Sequence, residues 1–457
     1  MERKSPNTRR VAFYTVGCRL NQAETAILTD QFCRLGFEPV KFGEPTDVLV
    51  VNTCSVTEGA ETDCRRVVRQ VLRTSPHAFV AVTGCYAQTG AETLQSIDGI
   101  DLVLGTQYKM QLPDYLAALS SYDKKTRPDL LHTRKIDYES FTIEGTGDYS
   151  TTRANLKLQD GCQFMCSFCL IPFARGRERS RLADDAVREA QALAERGHRE
   201  LVLTGVNLGQ YQDAGVDLLT LLQRLEIVSG IDRIRISSIE PTTIPDQLLD
   251  YMTTSDKLCR FLHVPLQSGD DTILKAMNRR YTVREYAQFI EEAAQKVPDL
   301  CLGTDVMVGF PGEGEQEFAN TQTLINDLPF SYLHVFSFSS RPGTAATKLA
   351  HPVPRQIIKQ RSQDLAKLSQ RKRFAFYQRY IGQTVSVLFE TQNSSGLWTG
   401  LTDHYIKVGV QSSDDLSNEI RSVMISGVTD GLAIGRLGEN IPESLDHVPI
   451  SSLTMTS

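Results

Sequence analysis

The chain has 457 residues, a formal net charge of −6 and ten cysteines, a length that suggests two to four domains of about 150 residues each. No stretch approaches the roughly 18 apolar residues of a membrane span, and the polar, basic first ten residues run into Val11 without the apolar core of a signal peptide. The cysteines are too sparse for a disulfide scaffold, their ligand-like spacing points to a reducing cytosol, and the mild acidity gives no global sign of a nucleic-acid binder.

Residues 9–120 read as alternating strands and helices. Short β-branched or aromatic runs fall at 11–16, 47–52 and 79–83, with a fourth at 101–104. Helix-like stretches follow them, such as 23–35, closed by Gly36. This βαβ pattern predicts an open parallel sheet. Cys18, Cys54 and Cys85 each come directly after one of the first three runs. Ligands of open α/β sheets bind beyond the carboxyl ends of the strands, so three thiols about thirty residues apart converge on one edge. The competing reading is buried apolar cysteine. It suits Cys33 and Cys64 inside helix-like segments, and Cys259 and Cys301 at strand starts, better than these three.

Residues 121–150 are polar, with Lys124, Lys125, Pro128 and a Gly145-Thr146-Gly147 run, and are expected to form a linker. Residues 151–380 carry a longer βα series, with strands expected at 154–158, 200–204, 233–237, 261–265, 302–308 and 332–338. Six such units predict a partial (β/α)6 barrel, whose chemistry sits on the loops at the carboxyl face. Those loops are the ones rich in Gly, Ser and charge, from Thr204-Gly205-Val206-Asn207 to Ser339-Ser340-Arg341-Pro342-Gly343.

The first of these loops holds Cys162, Cys166 and Cys169 in a CxxxCxxC run. Three thiolates at this spacing suit three irons of a [4Fe–4S] cluster. The fourth iron is left open, as in a catalytic rather than a structural metal site. The alternatives are half a zinc site or unrelated thiols, and zinc sites of this class want a second CxxC pair.

Residues 354–381 hold eight Lys or Arg against one acid, including Arg371-Lys372-Arg373 interleaved with Phe374, Phe376 and Tyr377. Such a patch suits phosphate contacts, the alternative being a solvated helix face. Residues 381–440 are β-rich and predict a small β-barrel of a class common among oligonucleotide binders. Its three bases against six acids over 383–438 argue against strong RNA affinity. A polar tail, 441–457, follows.

Read together, Gly17-Cys18-Arg19-Leu20-Asn21-Gln22-Ala23-Glu24-Thr25, Asn52-Thr53-Cys54-Ser55-Val56-Thr57, Gly84-Cys85-Tyr86-Ala87-Gln88, the CxxxCxxC run and Ile171-Pro172-Phe173-Ala174-Arg175-Gly176-Arg177-Glu178-Arg179-Ser180 resemble the radical S-adenosylmethionine (SAM) methylthiotransferases. The likeness extends over nearly the whole chain. The small barrel looks like that family's TRAM domain. The Asn-Gln-x-Glu-Thr form of the first motif resembles the branch acting on N6-threonylcarbamoyladenosine beside the anticodon of tRNA.

The resemblance implies two [4Fe–4S] clusters and SAM as cofactors. One cluster sits on Cys162, Cys166 and Cys169, where SAM is cleaved to a radical that removes hydrogen from C2 of the adenine. The auxiliary cluster sits on Cys18, Cys54 and Cys85, and supplies the sulfur that a second SAM methylates. Phe168, Ser237, Ser238, Glu240 and Gln267 are candidate SAM contacts. Arg175, Arg177, Arg179, Arg279, Arg280, Arg371, Lys372 and Arg373 are candidates for RNA phosphate or the SAM carboxylate, which arginine reads bidentately. The expected partners are tRNA, a reduced flavodoxin- or ferredoxin-type electron donor and a sulfur donor, in the cytoplasm and without a membrane. Three other readings stand beside this one. They are the same chemistry on isopentenyladenosine or a ribosomal-protein side chain, a radical-SAM methylase whose first three cysteines are structural, and a metal-bound RNA-binding protein without catalysis.

Overall fold

A computed structural model describes residues 8–55, 59–119, 122–134, 136, 141, 152–429 and 431–438. The tail and half of the expected linker, including Gly145-Thr146-Gly147, lie outside the described residues, as do Val56 and Thr57. The fold divides into two compact units, one reaching Arg373 and including Asp403–Tyr405, the other starting at Phe374.

The first unit opens with a six-stranded parallel sheet. Its strands are β1 (Arg10–Thr15), β2 (Glu38–Val40), β3 (Val48–Thr53), β4 (Phe79–Gly84), β5 (Leu102–Leu104) and β6 (Asp129–Leu131), in the order β2-β1-β3-β4-β5-β6. β3 and β4 are buried along their whole length, as continuous apolar runs in a sheet covered on both faces must be. α2 (Ala60–Thr74) contributes Val67, Val68 and Val71 to one layer, and α1 (Arg19–Arg34) contributes Leu28 and Phe32 to the other. The sequence reading missed the two edge strands, because these short elements each carry a charge or proline in place of an unbroken apolar run. β6 comes from the stretch expected as linker. That stretch is fastened by Lys124, whose Nζ donates to the carbonyls of Ala78 (3.0 Å) and Gly99 (2.8 Å) and pairs with Asp101.

The same unit continues with six parallel strands, as the βα series implies. β7 (Arg153–Lys157), Glu200–Thr204 and Arg233–Ile236 form one ladder, and Phe261–His263, Cys301–Val308 and Tyr332–Ser337 another. The two meet through an Ile234–Leu258 bridge and the Ile239 N–H···O=C His263 bond of 3.1 Å. Alternation sorts each strand. Leu156, Leu203, Ile234, Leu262, Val306 and Leu333 turn to the helix-covered core. Lys157, Arg235, His263, Asp305 and His334 therefore share the opposite, concave face, and α1 lies against β7 on that side.

The second unit is a closed five-stranded barrel in the order Thr384–Gln392, Leu397–Thr402, Lys407–Gln411, Leu432–Leu437, Ile420–Thr429. Val387, Phe389, Val408, Val410, Val423 and Ala433 fill it, in agreement with the TRAM-like expectation. No helix among the described residues is long and apolar enough to cross a membrane.

Candidate functional site

β1, β3 and β4 are neighbours in the sheet, so the loops that follow them meet. Cys18 is exposed there, whereas Cys54 and Cys85 are buried. The approach depends on glycine. A Cβ on Gly17 (φ +120°) would lie 2.9 Å from Cys54 Sγ, and one on Gly84 (φ +101°) would lie 2.3 Å from the Thr53 carbonyl. Asn21 Nδ2 donates to the carbonyls of Val16 (2.9 Å) and Thr53 (3.0 Å), and Asn52 Nδ2 donates to that of Asn21 (2.9 Å). The side chains of the first two motifs thus bind the loops to one another.

The second thiol set lies on the loop after β7. Gly161 (φ +73°) lets this loop turn, since a Cβ there would meet the Arg177 carbonyl at 1.9 Å. Each sulfur already has a hydrogen-bond donor. Cys162 Sγ accepts from Phe164 N–H (3.5 Å), Cys166 Sγ from Arg279 Nη1 (3.2 Å) and Cys169 Sγ from Ile171 N–H (3.4 Å). Burial, with the neighbouring sulfurs adding to it, pushes the Cys162 thiol up to about 11 and Cys169 to about 12. Three crowded, half-buried thiols that resist ionisation alone, yet are furnished with N–H donors, suit a bound cationic iron core. Hydrogen bonds to sulfur are a standard outer sphere of such clusters.

Between the two sets lies a buried ionic network. Arg175 donates through Nε to Cys85 Sγ (3.2 Å), through Nη1 to Glu24 (2.8 Å) and Asp160 (3.0 Å), and through Nη2 to Asn21 Oδ1 (2.6 Å). Lys157 bridges Glu24 (2.7 Å) and Asp160 (2.8 Å), Lys109 pairs with Glu24, and Arg179 pairs with Asp160 (2.9 Å). Burial alone would raise the Glu24 carboxyl, but Arg175, Lys109 and Lys157 hold it well below the usual carboxylate range. Burial, with Arg175 adding to it, lowers the Lys109 ammonium against the pull of Glu24. Four cations therefore surround two acids. Excess buried positive charge is costly unless an anion shares it, and the Cys85 edge of this network is where an anionic thiolate cluster would sit. The donor set and the charge both fit an iron–sulfur group at Cys18, Cys54 and Cys85.

The network accounts for two of the arginine candidates. Arg175 is 1 % exposed and Arg179 is largely covered, so their donors serve the protein interior, not RNA. Arg279 is buried too, between Cys166, Tyr281 Oη (3.1 Å) and Glu240. Lys372 donates to the carbonyls of Asn326 (3.0 Å) and Leu328 (2.8 Å), and Arg373 lies half-buried over the Tyr332 ring. Phe376 and Tyr377 are buried. Within Arg371–Tyr377, Arg371 and Phe374 remain exposed, as do Arg355, Lys359 and Lys367 earlier on the helix Arg355–Gln378.

Arg177 and Arg280, by contrast, line an open cavity of about 1170 Å³ with Cys162 in its wall. Gln88 of the third motif, His132, Met165 and Phe173 line it too. Of the SAM candidates, Glu240 reaches the Cys166 loop through Arg279. Ser237 and Ser238 are half-buried beyond the strand Arg233–Ile236. Gln267 (φ +68°) bonds by its backbone to Asp305 (2.8 Å) and Met307 (2.9 Å), and Phe168 packs against Phe310.

Sequence reasoning passed over Glu24, Lys109, Lys157 and Asp160, although Asp160 stands two residues before Cys162. It also missed a group on the concave face. His263 Nε2 lies 2.9 Å from Asp305 Oδ1, and His334 Nδ1 lies 3.4 Å from the same oxygen. The available signal was the alternation in Tyr332-Leu333-His334-Val335-Phe336, which turns a histidine inward.

Residues 156–325 match the Radical SAM superfamily, and residues 10–105 match the family described as Uncharacterized protein family UPF0004. The chain is 36 % identical over 427 residues to the threonylcarbamoyladenosine tRNA methylthiotransferase MtaB of Bacillus subtilis (strain 168), covering 91 % of this chain and 93 % of that one. It is 36 % identical over 414 residues to the MtaB of Aquifex aeolicus (strain VF5), covering 90 % and 99 %. Among solved structures, the radical SAM methyltransferase TsrM of Kitasatospora setae shares the fold, with a TM-score of 0.55, 14 % identity and coverage of 72 % and 73 %. The two strand-end thiol sets and this end-to-end similarity lead to one conclusion, that the chain belongs to the MtaB-like radical-SAM methylthiotransferases.

Proposed function

We propose that this chain transfers a methylthio group to C2 of N6-threonylcarbamoyladenosine beside the anticodon of tRNA, with two [4Fe–4S] clusters and two SAM molecules per turnover. The observation that carries the reading is the pairing of two three-thiol sets at the strand ends of adjoining parallel sheets, fastened through Arg175. When bound, the groups on Cys162, Cys166 and Cys169 supply the electron that cleaves SAM, and those on Cys18, Cys54 and Cys85 supply sulfur. The protein's part is positional. Phe164, Arg279 and Ile171 orient the first set by N–H···S bonds, and Arg175 and Lys109 balance the charge of the second. Arg177 and Arg280 bring positive charge to the cavity beside Cys162, where RNA phosphate approaches. Ser237, Ser238, Glu240, Gln267 and Phe168 are assigned to SAM. A reduced flavodoxin- or ferredoxin-type protein and a sulfur donor complete the cycle in the cytoplasm.

Two clusters require about eight irons per chain and a single one about four, from four irons in each. Anaerobically reconstituted protein is expected to bind about eight irons, and a plateau at about four contradicts the two-cluster reading. Gly84→Ala forces a side chain against the Thr53 carbonyl at a positive φ. It is expected to reduce the plateau to about four, while Gly43→Ala, with open space around it, is expected to keep the full count.

A further inference from the structure

Three strands of the second ladder each place one metal-ligating side chain on the concave face. His263 ends the strand Phe261–His263, Asp305 lies within Cys301–Val308, and His334 is the direct partner of Asp305 on Tyr332–Ser337. Asp305 Oδ1 lies 2.9 Å from His263 Nε2 and 3.4 Å from His334 Nδ1, and the three ligand atoms fall within 4.8 Å of one another. Two donors bound to a zinc-like ion at about 2.0–2.2 Å stand about 2.9 Å apart at a right angle and about 3.4 Å apart at a tetrahedral angle. The two distances to the carboxylate oxygen are therefore the edges that a shared ion would set. The longer one exceeds the roughly 2.7–2.9 Å of a charge-assisted hydrogen bond.

The surroundings fit a cation. The Asp305 side chain is 22 % exposed, and among the described residues no lysine or arginine pairs with it. A largely covered carboxylate is normally paired or bound to a metal, and here two imidazoles face it. Arg235, on the same face, is committed to Glu200 (2.7 Å). His263 has the outer partner of a metal-bound imidazole, because its Nδ1 lies 2.9 Å from Tyr332 Oη. With Nδ1 donating to that hydroxyl, Nε2 turns its lone pair to the site. Gly303 permits this contact, since a Cβ there would stand 2.2 Å from the Tyr332 ring. The His334 side chain is 52 % exposed, which gives an ion its entry path. Three protein ligands leave further coordination positions open, as catalytic metal sites do. Two imidazoles and a carboxylate suit zinc or ferrous iron, not magnesium or calcium, which take oxygen ligands.

We propose that His263 Nε2, Asp305 Oδ1 and His334 Nδ1 form a three-ligand site for a divalent transition-metal ion, distinct from both thiol sets. The ion links the three strands across their concave face. The proposal is independent of which nucleoside the chain modifies.

The test uses the untagged, reconstituted full chain, equilibrated with zinc sulfate and freed of loose metal by gel filtration. Elemental analysis is expected to find about one zinc per chain, and the zinc-edge absorption spectrum to show nitrogen and oxygen ligands at about 2.0–2.2 Å. Asp305→Asn and His334→Gln are expected to lose this zinc while keeping the wild-type iron content and circular-dichroism spectrum. His334→Gln, at a half-exposed position, carries the test where Asp305→Asn fails to fold. Tyr332→Phe is expected to weaken zinc binding about ten- to hundredfold, as the loss of an outer partner does. Where iron already fills the site, the wild type shows a high-spin ferrous Mössbauer signal that the ligand variants lack, and this supports the proposal with iron as the ion. Zinc held by sulfur at about 2.3 Å belongs to the thiol sets, and that result overturns the proposal. A chain that holds neither zinc nor the ferrous signal overturns it too, as does a zinc content that both ligand variants leave unchanged.

Discussion

Cys162→Ala is expected to reduce SAM cleavage to the level of the cluster-free protein, whereas Cys54→Ala spares cleavage and stops methylthio transfer. The two thiols belong to separate sets on separate loops, each with its own donors. Losing one ligand from the 162–169 set takes away the group that reduces SAM, and nothing downstream can occur. Losing Cys54 affects only the sheet edge where Gly17 lies against its sulfur. Assay of 5′-deoxyadenosine and methylthiolated nucleoside from the same reaction separates the two outcomes. Thiolated product from Cys54→Ala would refute the assignment of the strand-end set. It would favour a methylase whose first three cysteines are structural.

Glu24→Gln is expected to destabilise the chain by about 3–5 kcal/mol, the cost of breaking a buried ion pair and leaving its partner charged. Glu24 meets three cations, Arg175, Lys109 and Lys157, and is wholly buried. The network already holds more positive than negative charge, so removal of Glu24 leaves four cations with Asp160 as the remaining acid. The thermal midpoint of the cluster-free protein should fall by on the order of 5–10 °C. Reconstitution should recover part of the loss, because an anionic cluster beside Cys85 shares the excess charge. A midpoint within one or two degrees of the wild type would show that the network is not the electrostatic seat described. Because the carboxyl is held well below the usual range by its cations, its contribution is present above the unfolded carboxylate value and is lost as pH falls through the folded one.

The parts of the site legible in the sequence were those in which local spacing carries the chemistry. CxxxCxxC is a ligand set within eight residues, and Cys18, Cys54 and Cys85 are each placed by the strand before them. The β-branched runs were readable because fully buried parallel strands are continuously apolar. The arginines were less legible for a converse reason. Arg175, Arg179 and Arg279 look like phosphate contacts in a basic motif, yet their partners, Glu24, Asn21, Asp160 and Glu240, arrive from distant segments. No local pattern reports that pairing. The His263–Asp305–His334 group was hidden similarly, since it forms only when three strands are in register. β6 escaped notice because a three-residue edge strand inside a polar stretch has the composition of a linker.

The central claim is the transfer of a methylthio group to N6-threonylcarbamoyladenosine in tRNA. It is tested most directly by mass spectrometry of tRNA nucleosides from a host lacking its own methylthiotransferases, complemented with this chain or with Cys162→Ala. The account predicts 2-methylthio-N6-threonylcarbamoyladenosine with the intact chain and its absence with the variant. A methylthio group on isopentenyladenosine instead, or unchanged tRNA nucleosides from a chain with both clusters in place, would contradict it.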